Sequence, residues 1–254
     1  MTKLLPPDFD ARIRQAVQQF WTGRLSSSIT TQEGGRGSVI AGKNLDGFSE
    51  LIRDVALFSD IPSENIIVTG KAKLTIPGYF RPTKMWDALV VYKRHLVAAF
   101  ELKSQVGPSF GNNFNNRSEE SIGSAVDFWT AHRESGFHAP DGNELFELAD
   151  GKPPFLGYLM LLEECPASTS PVRVDESHFK IFPEFVSSSY AKRYQLLIES
   201  LVAEKWYSSA SLILSNREEG GNLGAFSSPT ETLNPKSLFA DFAGALLAAI
   251  ETYK

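Results

Sequence analysis

The chain has 254 residues, 42% of them hydrophobic and 22% charged, which suits one globular domain. A single cysteine, Cys165, excludes an internal disulfide framework, and no run of about 18 apolar residues exists to span a membrane. The opening MTKLLPPDFD has neither a long apolar core nor a small-residue cleavage site, so the expectation is a cytoplasmic protein without a signal peptide. The net charge of −5 argues weakly against a nucleic-acid protein, but its distribution says otherwise. Between Lys71 and Arg117 stand eight basic residues and only two acids, Asp87 and Glu101; that segment carries +6 and leaves −11 for the rest. A basic zone around a carboxylate pair suits a polyanionic substrate.

In chain order, residues 8–22 read as a helix with Phe9, Ile13, Val17 and Phe20 or Trp21 inward and Asp8 as N-cap. The Gly-, Ser- and Thr-rich stretch 23–44 reads as a loop, mobile until a ligand orders it. Inside it, Gly37 to Lys43 matches seven positions of a phosphate-binding loop. Asn44 stands where Ser or Thr should be and no buried strand precedes, so no nucleotide cofactor is expected. Arg36 and Lys43 are either backbone contacts for a nucleic acid or ordinary solvated residues. Residues 46–59 form an amphipathic helix with Phe48, Leu51, Ile52, Val55 and Leu57 or Phe58 inward; its Glu50 either reaches a metal site or is a surface residue near Arg53. A strand follows over Asn65–Thr69. The next segment, Lys71–Lys84, holds prolines that exclude a continuous helix or a central strand.

The stretch Met85–Lys103, MWDALVVYKRHLVAAFELK, is the one the chain is organised around. Apolar runs Ala88–Tyr92 and Leu96–Phe100 flank the polar pivot Lys93-Arg94-His95, a β-hairpin with a three-residue connection. Numbers of paired residues then add to 188, which sets Asp87 opposite Glu101, and Lys103 shares the face of Glu101. Leu89, Val91, Val97 and Ala99 fall on one face, and Trp86, Ala88, Val90, Phe100 and Leu102 on the other. A strand pair apolar on both faces belongs inside an α/β layer structure. Two facing buried carboxylates repel each other unless a cation compensates them, so the pattern asks for a metal. Mg²⁺ held by Asp87, Glu101 and the Leu102 carbonyl, with Lys103 beside it, is what phosphodiester hydrolysis needs.

After Lys103 comes GPSFGNNFNNR, read as a loop whose Asn112, Asn113, Asn115, Asn116 and Arg117 suit base edges and phosphates; with Lys84 they are the candidate DNA-binding residues. An ordinary Asn/Gly turn cluster is the plain alternative. Ser118–Glu134 reads as a helix with Ile122, Ala125, Val126 and Trp129 inward, and Glu119 and Glu120 as dipole-favoured surface residues in its first turn. A polar stretch, Ser135–Pro154, leads to a buried strand at Phe155–Leu162. A loop over 165–177, a short strand near Phe179–Phe182, a helix over Ser188–Trp206 and a strand over Ser211–Ser215 follow. A second polar loop, Asn216–Pro229, precedes a helix after Pro235 with Leu238, Phe242, Leu246 and Ile250 on one face. That stripe serves either a dimer interface or the monomer core. The four histidines have no metal-ligand spacing, and no Ser-His-Asp arrangement can be read.

The block TIPGYFRPTKMWDALVVYKRHLVAAFELKSQVGPSFGNNFNNRSEE resembles the XhoI-type class of type II restriction endonucleases, a branch of the PD-(D/E)-x-K nucleases. The resemblance runs from NLDGF at residue 44 to about residue 207. It implies one restriction-endonuclease-like domain over 1–254, with a mixed central β-sheet flanked by helices. Asp87, Glu101 and Lys103 take the family's catalytic positions; Trp86 stands where the family often has proline. The family implies a homodimer that cuts the palindrome CTCGAG in duplex DNA with magnesium. Two other readings of the residues stay open: a repair or junction-resolving nuclease on the same core, and a non-catalytic DNA-binding module.

Overall fold

The two apolar runs pair as the expected antiparallel hairpin, at the middle of a five-stranded sheet. The computed structural model describes residues 3–30, 44–134, 137 and 152–254. Its sheet contains β1 (Ile66–Ile67), β4 (Ala88–Tyr92), β5 (His95–Gln105), β6 (Phe155–Glu163) and β7 (Ser209–Ser215), in the order β1-β4-β5-β6-β7. The first two pairings are antiparallel and the last two parallel, so the sheet is mixed. A separate two-stranded ribbon, β2 (Thr75–Pro77) and β3 (Thr83–Met85), leads into β4.

Apolar side chains on both faces of β4, β5 and β6 force a helical layer on each side. One layer is α1 (Phe9–Thr30), α2 (Asp46–Phe58) and α7 (Pro235–Thr252), whose Val17, Phe20, Ile52, Val55 and Phe242 pack with Val90 and Phe100. The other is α3 (Phe110–Arg133) and α5 (Tyr190–Ala203), whose Phe128, Tyr194 and Ile198 pack with Leu89, Ala99 and Met160. Short helices α4 (Pro166–Thr169) and α6 (Arg217–Leu223) fill the connections. The apolar stripe of α7 is core of the monomer: Leu238, Phe242 and Leu246 are fully buried. Among the described residues, no helix is long and apolar enough to cross a membrane.

The hairpin departs from expectation in two ways that cancel. Its connection is two residues long, Lys93 and Arg94, both left-handed at φ 44° and 71°, the geometry of a tight hairpin turn. His95 already pairs with Tyr92. A bulge after Val90 then restores the register: Val91 pairs with Leu96, whereas Val90 pairs with Ala98 and Ala88 with Phe100. The shorter turn and the extra residue offset each other, and the pairing at the open end is as expected. The bulge turns Val97 onto the face of Val90 and Ala98. Trp86 also changes face and packs with Leu89 and Phe128, because β3 ends at Met85 and strand alternation does not carry through.

Other boundaries move too. Helix α1 runs on to Thr30, through the first eight residues of the expected loop; Gly23 costs only about 1 kcal/mol in a helix and no proline follows to stop it. Residues 31–43 of that loop, with Arg36 and the Gly37–Lys43 motif, lie outside the described residues. The largest shift is at the asparagine-rich stretch, where α3 begins at Phe110 and makes Asn112–Arg117 helical. Phe110 and Phe114, one turn apart, pack on α5, the first stacked on Tyr190 and the second edge to face with Tyr194, and that packing overrides the turn preference of the asparagines. Further along α3, Ser121, Ser124, Ala125 and Phe128 are buried, while Ile122 and Val126 are exposed. The Ser121 carbonyl accepts the Tyr207 hydroxyl and Phe128 packs on Trp86, so the inward face of the helix is rotated from the one expected. Leu57 and Phe58 at the end of α2 also face outward. No strand forms near Phe179–Phe182; both phenylalanines are exposed and Pro183 opens a turn of 3₁₀ helix.

Candidate active site

Asp87 sits where β4 has not quite begun, held by two backbone contacts. Its N–H donates to the Phe100 carbonyl at 3.1 Å, and its Oδ2 accepts the Leu102 N–H at 2.8 Å. N–H and C=O of one strand residue point to the same side, so the Leu102 carbonyl faces the same side as Asp87. Glu101, opposite, is 1% exposed. Its Oε1 lies 2.7 Å from Lys103 Nζ and its Oε2 3.2 Å from Lys84 Nζ. Lys84 reaches in from β3, its ammonium 4.3 Å from the centroid of the Trp86 ring.

These groups are perturbed in ways their surroundings explain. Burial pushes the Asp87 carboxyl above its ordinary range, against the pull of the Leu102 amide and Lys103. Burial also acts upward on Glu101, but Lys103 and Lys84 outweigh it and hold that carboxyl below its ordinary range. Burial drives the Lys84 ammonium down, with Glu101 opposing. Beneath them, burial and the nearby Glu101 keep the Tyr158 and Tyr207 phenols neutral by raising them well above the ordinary value.

Glu101, Lys103 and Lys84 open into a cleft of about 620 Å³ whose far wall is α3, with Glu119, Glu120 and Gly123. Glu120 pairs with Arg117 and lies 3.9 Å from Lys103 Nζ. With α3 starting at Phe110, Glu119 and Glu120 stand well inside the helix, where a dipole argument has no force. The α3 residues that line the cleft run from Glu119 to Asp127, and Asn112, Asn115 and Asn116, nearer the helix start, are exposed. Glu50 is not part of this site; it is exposed on α2 beside Arg12 and Gln19.

Two features escaped the sequence reading. Lys84, expected at DNA, is paired with Glu101, a contact between separate strands that no local period encodes. Asp127 of α3 is a buried carboxylate that accepts the backbone N–H groups of Tyr79 and Phe80, each at 2.8 Å, and Arg81 Nε at 2.7 Å. An acid beside Phe128 within a helical stripe was the available signal. Among the described residues, no cluster of three or more His, Cys, Asp or Glu could cage a metal. The donors present are two carboxylates and a carbonyl, an oxygen set that suits a hard cation retaining much of its own water.

An aspartate beside a Glu-x-Lys strand at the open end of a hairpin, within a mixed sheet between helices, is the arrangement that the resemblance to PD-(D/E)-x-K nucleases implies. Comparison with known proteins agrees. The model of the restriction endonuclease XhoI family matches residues 25–228, and the chain belongs to that family. The type II restriction enzyme BstVI of Geobacillus stearothermophilus is 48% identical over 205 residues, covering 79% of this chain and 85% of that protein. The type II restriction enzyme XhoI of Xanthomonas vasicola is 41% identical over 228 residues, covering 87% and 88%. The type II restriction enzyme AbrI of Azospirillum brasilense is 43% identical over 178 residues, covering 68% and 75%. No solved structure matches. The protein is a type II site-specific deoxyribonuclease, acting on double-stranded DNA.

Proposed function

We propose that Asp87, Glu101 and Lys103 are the catalytic residues of a magnesium-dependent endonuclease that cuts duplex DNA at CTCGAG as a homodimer. The observation that carries the reading is that the Asp87 carboxylate accepts the N–H of Leu102, the residue between Glu101 and Lys103, at 2.8 Å, with Lys103 against Glu101 at 2.7 Å. Asp87, Glu101 and the Leu102 carbonyl would hold Mg²⁺. When bound, the ion supplies positive charge at the scissile phosphate and a water of lowered pKa. Glu101, kept ionised by two lysines, remains a ligand at neutral pH. Lys103, at the cleft mouth, donates to the attacking water or to a phosphate oxygen and steadies charge that develops there. Lys84 faces the phosphate from deeper in the cleft. Asn112, Asn113, Asn115, Asn116 and Arg117 contact the duplex along α3. CTCGAG is inferred from the family resemblance, and the palindrome calls for two copies related by a twofold axis. The single cysteine suits a cytoplasmic location.

The test is a plasmid digest in magnesium, with Asp87→Asn and Lys103→Ala beside the wild type. The expected result is discrete fragments ending at CTCGAG, lost in both variants, while duplex binding in calcium persists. Fragments ending at another sequence would overturn the site. A smear would favour a structure-directed repair nuclease, and wild-type cutting by both variants would overturn the catalytic assignment.

A further inference from the structure

The ribbon β2–β3 carries at its tip the sequence Pro77-Gly78-Tyr79-Phe80-Arg81-Pro82, which the catalytic reading does not use. Its two aromatic side chains are turned outward: Tyr79 is 54% and Phe80 68% exposed, their rings edge to face at 4.9 Å. Outward-facing rings on a loop are unremarkable when the loop is loose. This one is fixed. Asp127, its carboxylate only 4% exposed, takes the N–H groups of both residues that carry the rings and the Arg81 side chain as well. A Cβ at Gly78 would fall 2.7 Å from Asp127 and 2.8 Å from the Arg81 carbonyl, so the tip is pressed against α3. Prolines at both ends remove further backbone freedom. A buried carboxylate thus holds rigid a tip whose rings add nothing to the core. Phe80 lines the same cleft as Glu101 and Lys103.

We infer that the Tyr79–Phe80 tip is a preformed wedge that packs its rings on the duplex beside the scissile phosphate; this rests on the proposed reading of the cleft as the cleavage site. A duplex whose phosphate lies over Glu101 and Lys103 brings its sugar and base surfaces to the cleft wall that Phe80 forms. Aromatic and apolar wedges are a general means of gripping a duplex without base-specific hydrogen bonds. Because the tip is ordered beforehand, the duplex meets it without a further loss of loop entropy. Its contribution is positioning: the rings pack on the duplex and take no part in the hydrolysis.

The experiment measures affinity for a short CTCGAG duplex in calcium over a salt series, and cleavage in magnesium, for wild type, Tyr79→Ala, Phe80→Ala and Phe80→Trp. Both alanine variants are expected to bind about tenfold or more weakly. The slope of affinity against salt should be unchanged, because no phosphate contact is lost. Phe80→Trp should restore most of the affinity. Alanine variants that bind and cut like the wild type overturn the wedge while leaving the catalytic reading standing. Sedimentation velocity supplies a second arm: altered self-association with unaltered duplex affinity would make the tip a protein interface and overturn the wedge. A wild type that neither binds nor cuts any duplex overturns both readings together.

Discussion

Lys84 Nζ lies 3.2 Å from Glu101 Oε2, so two lysines, not one, surround the buried carboxylate of the Glu-x-Lys strand. Removing Lys84 leaves Glu101 with Lys103 alone against the burial that raises its pKa. Lys84→Ala should therefore move the acid limb of the cleavage profile to higher pH and slow cleavage at neutral pH by about tenfold or more. Lys84→Arg should return the limb toward its original place. A pH–rate profile checks this, and an unmoved limb would reduce Lys84 to packing.

Asp87 carries the opposite perturbation. Burial raises its pKa in the folded protein, so ionising it costs stability. The cost is absent below the ordinary aspartate range, where the carboxyl is protonated folded and unfolded alike. It grows as pH rises, reaching its full value above the raised folded pKa. Asp87→Asn keeps an oxygen to accept the Leu102 N–H, and should melt a few degrees above the metal-free wild type at neutral pH. The gain should vanish in acid. Added magnesium should raise the wild-type melting temperature and leave the variant's unchanged. Calorimetry over a pH series decides it: a variant that melts lower at neutral pH would mean that the ionised carboxylate stabilises the fold.

The central hairpin was legible because a period of two and a polar pivot are local signals, and the register at its open end, Ala88 against Phe100, survived because the turn and the bulge err in opposite directions. What was not legible depends on partners distant in sequence. Phe110 and Phe114 draw the asparagines into a helix only because Tyr190 and Tyr194 stand opposite. Trp86 changes face because the chain crosses from the ribbon to the sheet there. Lys84 finds Glu101 through the same crossing. Local pattern sees none of these.

On α3, the exposed Asn112, Asn115 and Asn116 are the residues free to meet base edges, since Arg117 is already paired with Glu120. Alanine at each asparagine should cost about 1–3 kcal/mol of discrimination between CTCGAG and single-base variants, if that residue makes a bidentate base contact. Arg117→Ala should instead lower affinity for all sequences alike and reduce the salt slope. Competition binding at a stated salt concentration separates the two patterns. Uniform loss at all three asparagines would make them phosphate contacts.

The sheet beneath the site has one position with no tolerance. Gly157 of β6 pairs with Phe100 of β5, and a Cβ there would fall 2.4 Å from the Phe100 ring. Phe100 cannot yield, because Phe155, Phe239 and Phe242 enclose it. Its backbone carbonyl is also the acceptor for Asp87. Gly157→Ala should therefore destabilise the protein by about 1–3 kcal/mol through overpacking, and should lower cleavage beyond what the unfolded fraction explains, because any shift of Phe100 moves Asp87. Denaturant unfolding together with cleavage measured well below the melting temperature tests both parts. Lost stability with full specific activity would show that the strain is absorbed before it reaches the carboxylates.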